Sequence, residues 1–204
     1  MAAGTPTSAD GPLDELHQAI AGCRACDLWQ NATQAVPGEG PIGARLMMVG
    51  EQPGDKEDLS GHPFVGPAGH LLDEAMAAAG IDRRQVFVTN AVKHFKWTPR
   101  GKRRIHDKPN RSEVVACRPW LEREMAIVQP EVLLLLGATA GQAVLGPGFR
   151  VTRDRGVDLT DTGLAPHVVA TIHPSALLRI SDATERTEAT ARFVADLQTA
   201  ARLL

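Results

Sequence analysis

The chain has 204 residues, 43% of them hydrophobic and 23% charged, with a net charge of −2. That length suits one domain whose core holds without disulfides. No apolar run approaches the ~18 residues of a membrane span. The longest reaches only from Val132 to Ala138, so no membrane partner is expected. The first twelve residues are small and polar, without the blocks of a signal peptide. A cytoplasmic protein is expected.

Residues 1–11 read as a disordered leader and residues 12–204 as a single domain. Leu13, Leu16 and Ile20 fall at helical spacing and predict a short helix ending near Gly22. Five Pro and Gly residues make 27–44 a loop. Arg45–Val49 reads as a buried strand, followed by a glycine-rich segment from Pro53 to Gly66. Pro67 opens a helix whose apolar face is Leu71, Leu72, Ala75, Met76 and Ala79. Val86–Thr89 is a second strand, ending at Asn90. Ser112 is expected to cap a helix over Glu113–Val128, interrupted at Pro119. Val132–Leu136 is the third and most apolar strand. Residues 146–165 read as a hairpin or loop. Val168–Ile172 is the fourth strand, and Asp182 with Glu185 caps a final amphipathic helix.

Short aliphatic strands without polar alternation, each followed by a helix, predict an α/β fold. It should be a three-layer α-β-α sandwich around a four-stranded, mainly parallel sheet. Ligands in such sheets bind at the carboxyl ends of the strands. Those ends carry Gly50–Gly54, Asn90, Gly137 and His173-Pro174-Ser175.

Two further features stand out. Between Lys93 and Arg111 lie eight basic residues and one acid, a segment of +7 that leaves −9 for the rest of the chain. It suits an anion-binding loop or a solvated one. Cys23 and Cys26 form a C-x-x-C pair and Cys117 stands alone. An odd count argues against a disulfide framework, and the pair precedes the first strand, unlike a thioredoxin dithiol.

The strings GEQPG (Gly50–Gly54), HPFVGPAG (His62–Gly69), VTNAVK (Val88–Lys93) and HPSALLR (His173–Arg179) resemble the family 4 uracil-DNA glycosylases. The insert KRRIH (Lys102–His106) is similar to that of the UdgX subgroup. The resemblance runs from about Cys23 to the last helix. It implies excision of uracil from DNA, with single-stranded DNA as the preferred partner and free uracil as a product. The target base must be flipped into a pocket.

On this resemblance, the Asn90 amide reads the uracil edge and the Phe64 ring stacks on its face. Gly54 lies at the pocket, and Asp55 is expected to crowd C5 and reject thymine. His173 donates to O2 of the leaving uracil anion. Ser175, Arg179, Lys102, Arg103 and Arg104 are expected phosphate contacts. In the UdgX subgroup the loop histidine attacks C1′ and stays bonded to the DNA. His106 takes that role here, with Glu51 fixing its tautomer. Gln52 replaces the small residue of ordinary family 4 members, and either binds the hydrolytic water or contacts the base.

The resemblance also implies a [4Fe–4S] cluster. Cys23, Cys26 and Cys117 match three of its four cysteines, and His94 stands at the fourth place. A zinc ion has the same Cys₃His ligand set and is the alternative. Two other functions stay open: an ordinary glycosylase in which Glu51 directs water, and a non-catalytic iron–sulfur protein that binds single-stranded DNA. No oligomer interface is evident, so a monomer is expected.

Overall fold

The computed structural model describes residues 11–159 and 162–204. The expected leader falls almost wholly outside the described residues. The elements in order are α1 (Pro12–Ala21), β1 (Leu46–Gly50), α2 (Asp55–Ser60), α3 (Pro67–Ala78), β2 (Val86–Asn90), β3 (Trp97–Arg100) and β4 (Arg103–His106). There follow α4 (Arg111–Val128), β5 (Val132–Leu136), α5 (Ala138–Leu145), α6 (Val151–Asp154), β6 (His167–Thr171), α7 (Pro174–Leu177) and α8 (Ala183–Ala201).

Strands β1, β2, β5 and β6 form one parallel sheet in the order β2-β1-β5-β6. All residues of β1, β2 and β5 are buried, as their unbroken apolar sequences require. Successive side chains point to opposite faces. Met48, Val88 and Leu134 meet Leu72, Met76, Phe193 and Leu197 from α3 and α8. Met47, Phe87 and Leu133 meet Leu121, Val128 and Ala140 from α4 and α5. This is the expected three-layer architecture. Truncating one of these leucines to alanine costs about 2–5 kcal/mol. The order of the strands reverses between β1 and β5, and the crevice at such a switch point is where ligands of open α/β sheets bind.

Four local expectations are corrected. The basic loop contains a second, antiparallel sheet: β3 and β4 form a hairpin pairing Trp97 with His106 and Arg100 with Arg103. The glycine-rich segment holds the short helix α2, between Gly54 and a left-handed Gly61 (φ 80°). Helix α4 is capped by Asn110, whose Oδ1 accepts from the Glu113 N–H at 3.0 Å while Glu113 Oε2 accepts from the Asn110 N–H at 2.7 Å. It runs unbroken through Pro119, an exposed position four residues after exposed Val115. The segment after α5 contains α6, and Asp158 bridges to Val169.

Candidate active site

A cleft of about 780 Å³ opens at the carboxyl ends of the parallel strands. Glu51, Phe64, Asn90, His106, Thr139 and His173 are among its walls. Two glycines let these walls close. A Cβ on Gly50 would lie 2.4 Å from Asn90 Oδ1 and 2.6 Å from the Phe64 ring. Gly137 has φ 93°, and a Cβ there would lie 2.9 Å from Cβ of His173. Phe64 itself adopts a left-handed backbone (φ 58°), a costly conformation for a bulky residue and common at ligand sites. Its ring lies 6.2 Å from that of His173 with 28° between the planes.

Asn90 ends β2 and is 3% exposed. A fully buried ion pair fixes the backbone beneath it. Lys93 Nζ donates to the Asn90 carbonyl at 2.7 Å, to Glu124 Oε2 at 2.7 Å and to Thr89 Oγ1 at 2.6 Å. The other Glu124 oxygen accepts from the Gly38 N–H. Lys93 is therefore an internal cation, not part of an anion-binding loop.

His173 is set in a chain of donors. The Ser175 N–H donates to its Nδ1 at 3.2 Å, and Ser175 Oγ lies 2.8 Å from the same nitrogen. Arg179 Nη1 donates to Ser175 Oγ at 3.4 Å. With Nδ1 accepting, the hydrogen of the neutral ring sits on Nε2. Burial above all, with the neighbouring His106 and Arg179 adding to it, lowers the imidazole pKa to about 4. Ser175 and Arg179 both line the cleft.

His106 ends β4, with its side chain about half exposed and its Nε2 3.3 Å from Glu51 Oε1. The hairpin that carries it is fixed at two places. Gln52 is 6% exposed, and its Nε2 donates to the carbonyls of Lys96 and Asp107, each at 3.1 Å. Its Oε1 accepts from the Lys96 N–H at 3.2 Å. Its amide thus ties the two roots of the hairpin together. Arg104 turns inward against the sequence expectation. Its Nε donates to Asp55 Oδ1 and its Nη1 to Asp58 Oδ2, both at 2.6 Å. The guanidinium lies 5.5 Å from the ring centroids of Phe95 and Trp97. Asp55 thus lines the cleft while one of its oxygens is held by Arg104, and Arg104 is engaged by carboxylates in this structure. Lys102 and Arg103 remain exposed near the hairpin tip.

None of the three cysteines is in a disulfide. Cys117 and Cys26 share an apolar cluster with Leu28, Val92 and Trp120. Trp120 Nε1 donates to Cys23 Sγ at 3.0 Å, and the Lys93 N–H to Cys117 Sγ at 3.5 Å. Burial raises the Cys117 thiol pKa to about 11. His94 is 3% exposed, burial lowers its pKa, and its Nδ1 has no hydrogen-bond partner. A buried imidazole with an orphaned nitrogen, one residue past the N–H that meets Cys117, fits a metal centre. Among the described residues, no three His, Cys, Asp or Glu side chains gather closely enough to hold a single ion.

Sequence reading missed Thr139, Asp58, Lys93 and Glu124. Thr139 follows the third strand within Gly137-Ala138-Thr139, at the carboxyl end where sites form. That placement was its only signal. Asp58 and Glu124 act through partners distant in sequence, and Lys93 pairs with the distant Glu124 besides its neighbours Thr89 and Asn90.

The fold and cleft define an α/β protein with its site at the topological switch point. The family model described as the uracil DNA glycosylase superfamily matches residues 37–198, and the chain belongs to that superfamily. Among curated relatives, the type-4 uracil-DNA glycosylase of Pyrobaculum aerophilum is 37% identical over 177 residues, covering 82% of this chain and 85% of the relative. That of Thermotoga maritima is 38% identical over 168 residues, covering 82% and 83%. The type-5 uracil-DNA glycosylase of Mycobacterium leprae is 29% identical over 179 residues, covering 70% and 75%. No helix among the described residues is long and apolar enough to cross a membrane.

Proposed function

We propose that this protein is a uracil-DNA glycosylase of the UdgX kind, which excises uracil and then bonds to the vacated sugar through His106. The observation that carries this reading is the Glu51–His106 pair, 3.3 Å apart at the cleft that Asn90, Phe64 and His173 also line. Family membership and the type-4 relatives support the glycosylase activity.

In this mechanism the uracil is flipped into the cleft, stacked on Phe64 and read at O4 and N3–H by Asn90. The C1′–N1 bond breaks and its electron pair leaves with uracil. His173 donates its Nε2–H to O2 and stabilises the departing anion. Neutrality suits His173 to this role, because a neutral donor does not capture the base as an ion pair. One ring nitrogen of His106 donates its lone pair to C1′. The proton displaced from the other nitrogen passes to Glu51 and finally replaces C1′ on uracil. No water is consumed, so a single turnover is expected. Gln52 and Arg104 act through the hairpin, holding His106 in place. Lys102, Arg103 and Arg179 contact phosphates of a single strand.

Cys23, Cys26, Cys117 and His94 are proposed to hold a [4Fe–4S] cluster. It would cross-link the N-terminal segment, the end of β2 and α4, and thereby brace the hairpin. The orphaned, buried Nδ1 of His94 and the hydrogen bond from the neighbouring Lys93 N–H to Cys117 Sγ support a metal centre there, and the type-4 relatives favour a cluster over zinc. A single domain over residues 12–204, a monomer and a cytoplasmic location complete the reading.

The test compares uracil release with protein–DNA bonding in wild type and His106→Ala. Release that persists without bonding in the variant supports the reading. Uracil release by the wild type with no bonded DNA contradicts it and favours an ordinary glycosylase. No release from either variant or wild type leaves a strand-binding protein.

A further inference from the structure

We propose that Thr139 is a positioning residue that aims the Glu51 carboxylate at His106, a role that rests on the covalent reading above. The Thr139 hydroxyl donates a hydrogen bond to Glu51 Oε2. The other oxygen of the same carboxylate, Oε1, faces His106 Nε2. The two contacts take one oxygen each, so the hydroxyl sets the plane in which the carboxylate meets the imidazole.

The three residues differ in how firmly the fold holds them. Thr139 is 5% exposed and stands in the first turn of α5, directly after the buried strand β5. The Gly137 N–H donates to the Thr171 carbonyl at 2.8 Å, which ties the start of α5 to β6. Glu51 follows β1, whose register places Val49 beside Leu135 of β5. The Thr139–Glu51 bond therefore spans the switch point between the two central strands. His106 sits on a hairpin outside the main sheet, with its side chain about half exposed. Glu51 is the link between the main sheet and the hairpin that carries His106. A carboxylate side chain has three rotatable bonds, and a second anchor is needed to keep one oxygen on the ring nitrogen. Thr139 supplies it. Its hydroxyl hydrogen is taken up by Glu51.

Thr139→Val keeps the shape and removes only the hydroxyl, and Thr139→Ser keeps the hydroxyl. A hydrogen bond to a charged group that is lost from an aligned pair corresponds to roughly a tenfold or greater effect. The experiment mixes each protein with uracil-containing single-stranded DNA and measures both free uracil and bonded DNA over one turnover. The readout is the fraction of released uracil that is matched by bonded DNA. That ratio belongs to each active molecule, so a smaller folded population does not change it. Thr139→Val is expected to lower the ratio, with the rate of bonding about tenfold slower, and Thr139→Ser to restore it. Equal ratios and bonding rates in wild type and Thr139→Val would overturn the proposal while leaving the covalent reading standing. A wild type that releases uracil without bonding would overturn both.

Discussion

Nε2 of His106 lies 3.3 Å from Oε1 of Glu51, although one residue follows a strand of the main sheet and the other ends a strand of the second. Glu51 follows the central strand β1, whereas His106 ends a hairpin that stands apart from it. The pairing depends on whatever fastens the hairpin to the sheet, and the first two predictions concern those fastenings.

Gln52 holds both roots of the hairpin through three amide hydrogen bonds. Each such bond contributes on the order of 1 kcal/mol, and buried partners left without one cost about 1–3 kcal/mol. Gln52→Ala is expected to lower the melting temperature by several degrees. It should also raise amide hydrogen exchange across residues 96–107 and slow bonding to DNA more than uracil release. Unchanged exchange in that segment would count against the clamp.

Arg104 and Lys102 are neighbours in composition but not in role. Asp58 is fully buried, and Arg104→Met leaves it without its cation, a loss of about 3 kcal/mol. Arg104→Lys should not restore it, since one ammonium cannot replace a fork that meets Asp55 and Asp58 together. By contrast, Lys102→Ala should leave stability unchanged. Its effect should fall on DNA affinity, with the logarithmic salt dependence reduced by about 0.7 for one lost phosphate contact on a single strand. Thermal melts and salt titrations of the two variants separate these roles.

His173 titrates near 4 in the folded chain, below the ordinary 6.5. Between those values the unfolded chain binds a proton that the folded chain does not. The neutral ring's contribution to stability is therefore complete above pH 6.5 and declines as pH falls toward 4. Urea unfolding at pH 7 and pH 5 should show a larger loss for wild type than for His173→Asn. The donor at Nε2 stays in its neutral form at pH 5, so His173 should not limit uracil release there.

The metal centre is tested by content and by substitution. Purified without oxygen, the protein is expected to contain iron and sulfide with a broad visible absorbance, and Cys117→Ser should lose them. His94→Cys should retain the iron and change the electron paramagnetic signature of the reduced centre. Zinc in place of iron would contradict the cluster.

The main sheet was legible because its strands are short unbroken runs of aliphatic residues, and so was much of the cleft, because Glu51, Asn90 and His173 follow or end its strands. The hairpin was not legible. Its strands carry Thr98, Arg100 and Arg103 and bury neither face in the main core. What holds it is one amide 44 residues before Lys96 and two carboxylates 46 and 49 residues before Arg104. A run of like charges gives no sign of which member turns inward, so Arg104 looked like Lys102 and Arg103. Asp55 and Gln52, expected against the base or its water, line the cleft and also bond the hairpin, a partnership that no local pattern announces. Pro119 suggested a break in α4, but on an exposed face the helix continues past it. Thr139 offered no motif, only its position after a strand.

The most direct measurement is a denaturing protein gel after mixing the protein with a labelled, uracil-containing single-stranded oligonucleotide, with a thymine oligonucleotide beside it. The expected result is a uracil-dependent band that survives boiling in detergent and disappears in His106→Ala. Strand breakage after alkali with no shifted band would mean that the sugar is released to water, and the assignment of His106 as the nucleophile would be wrong.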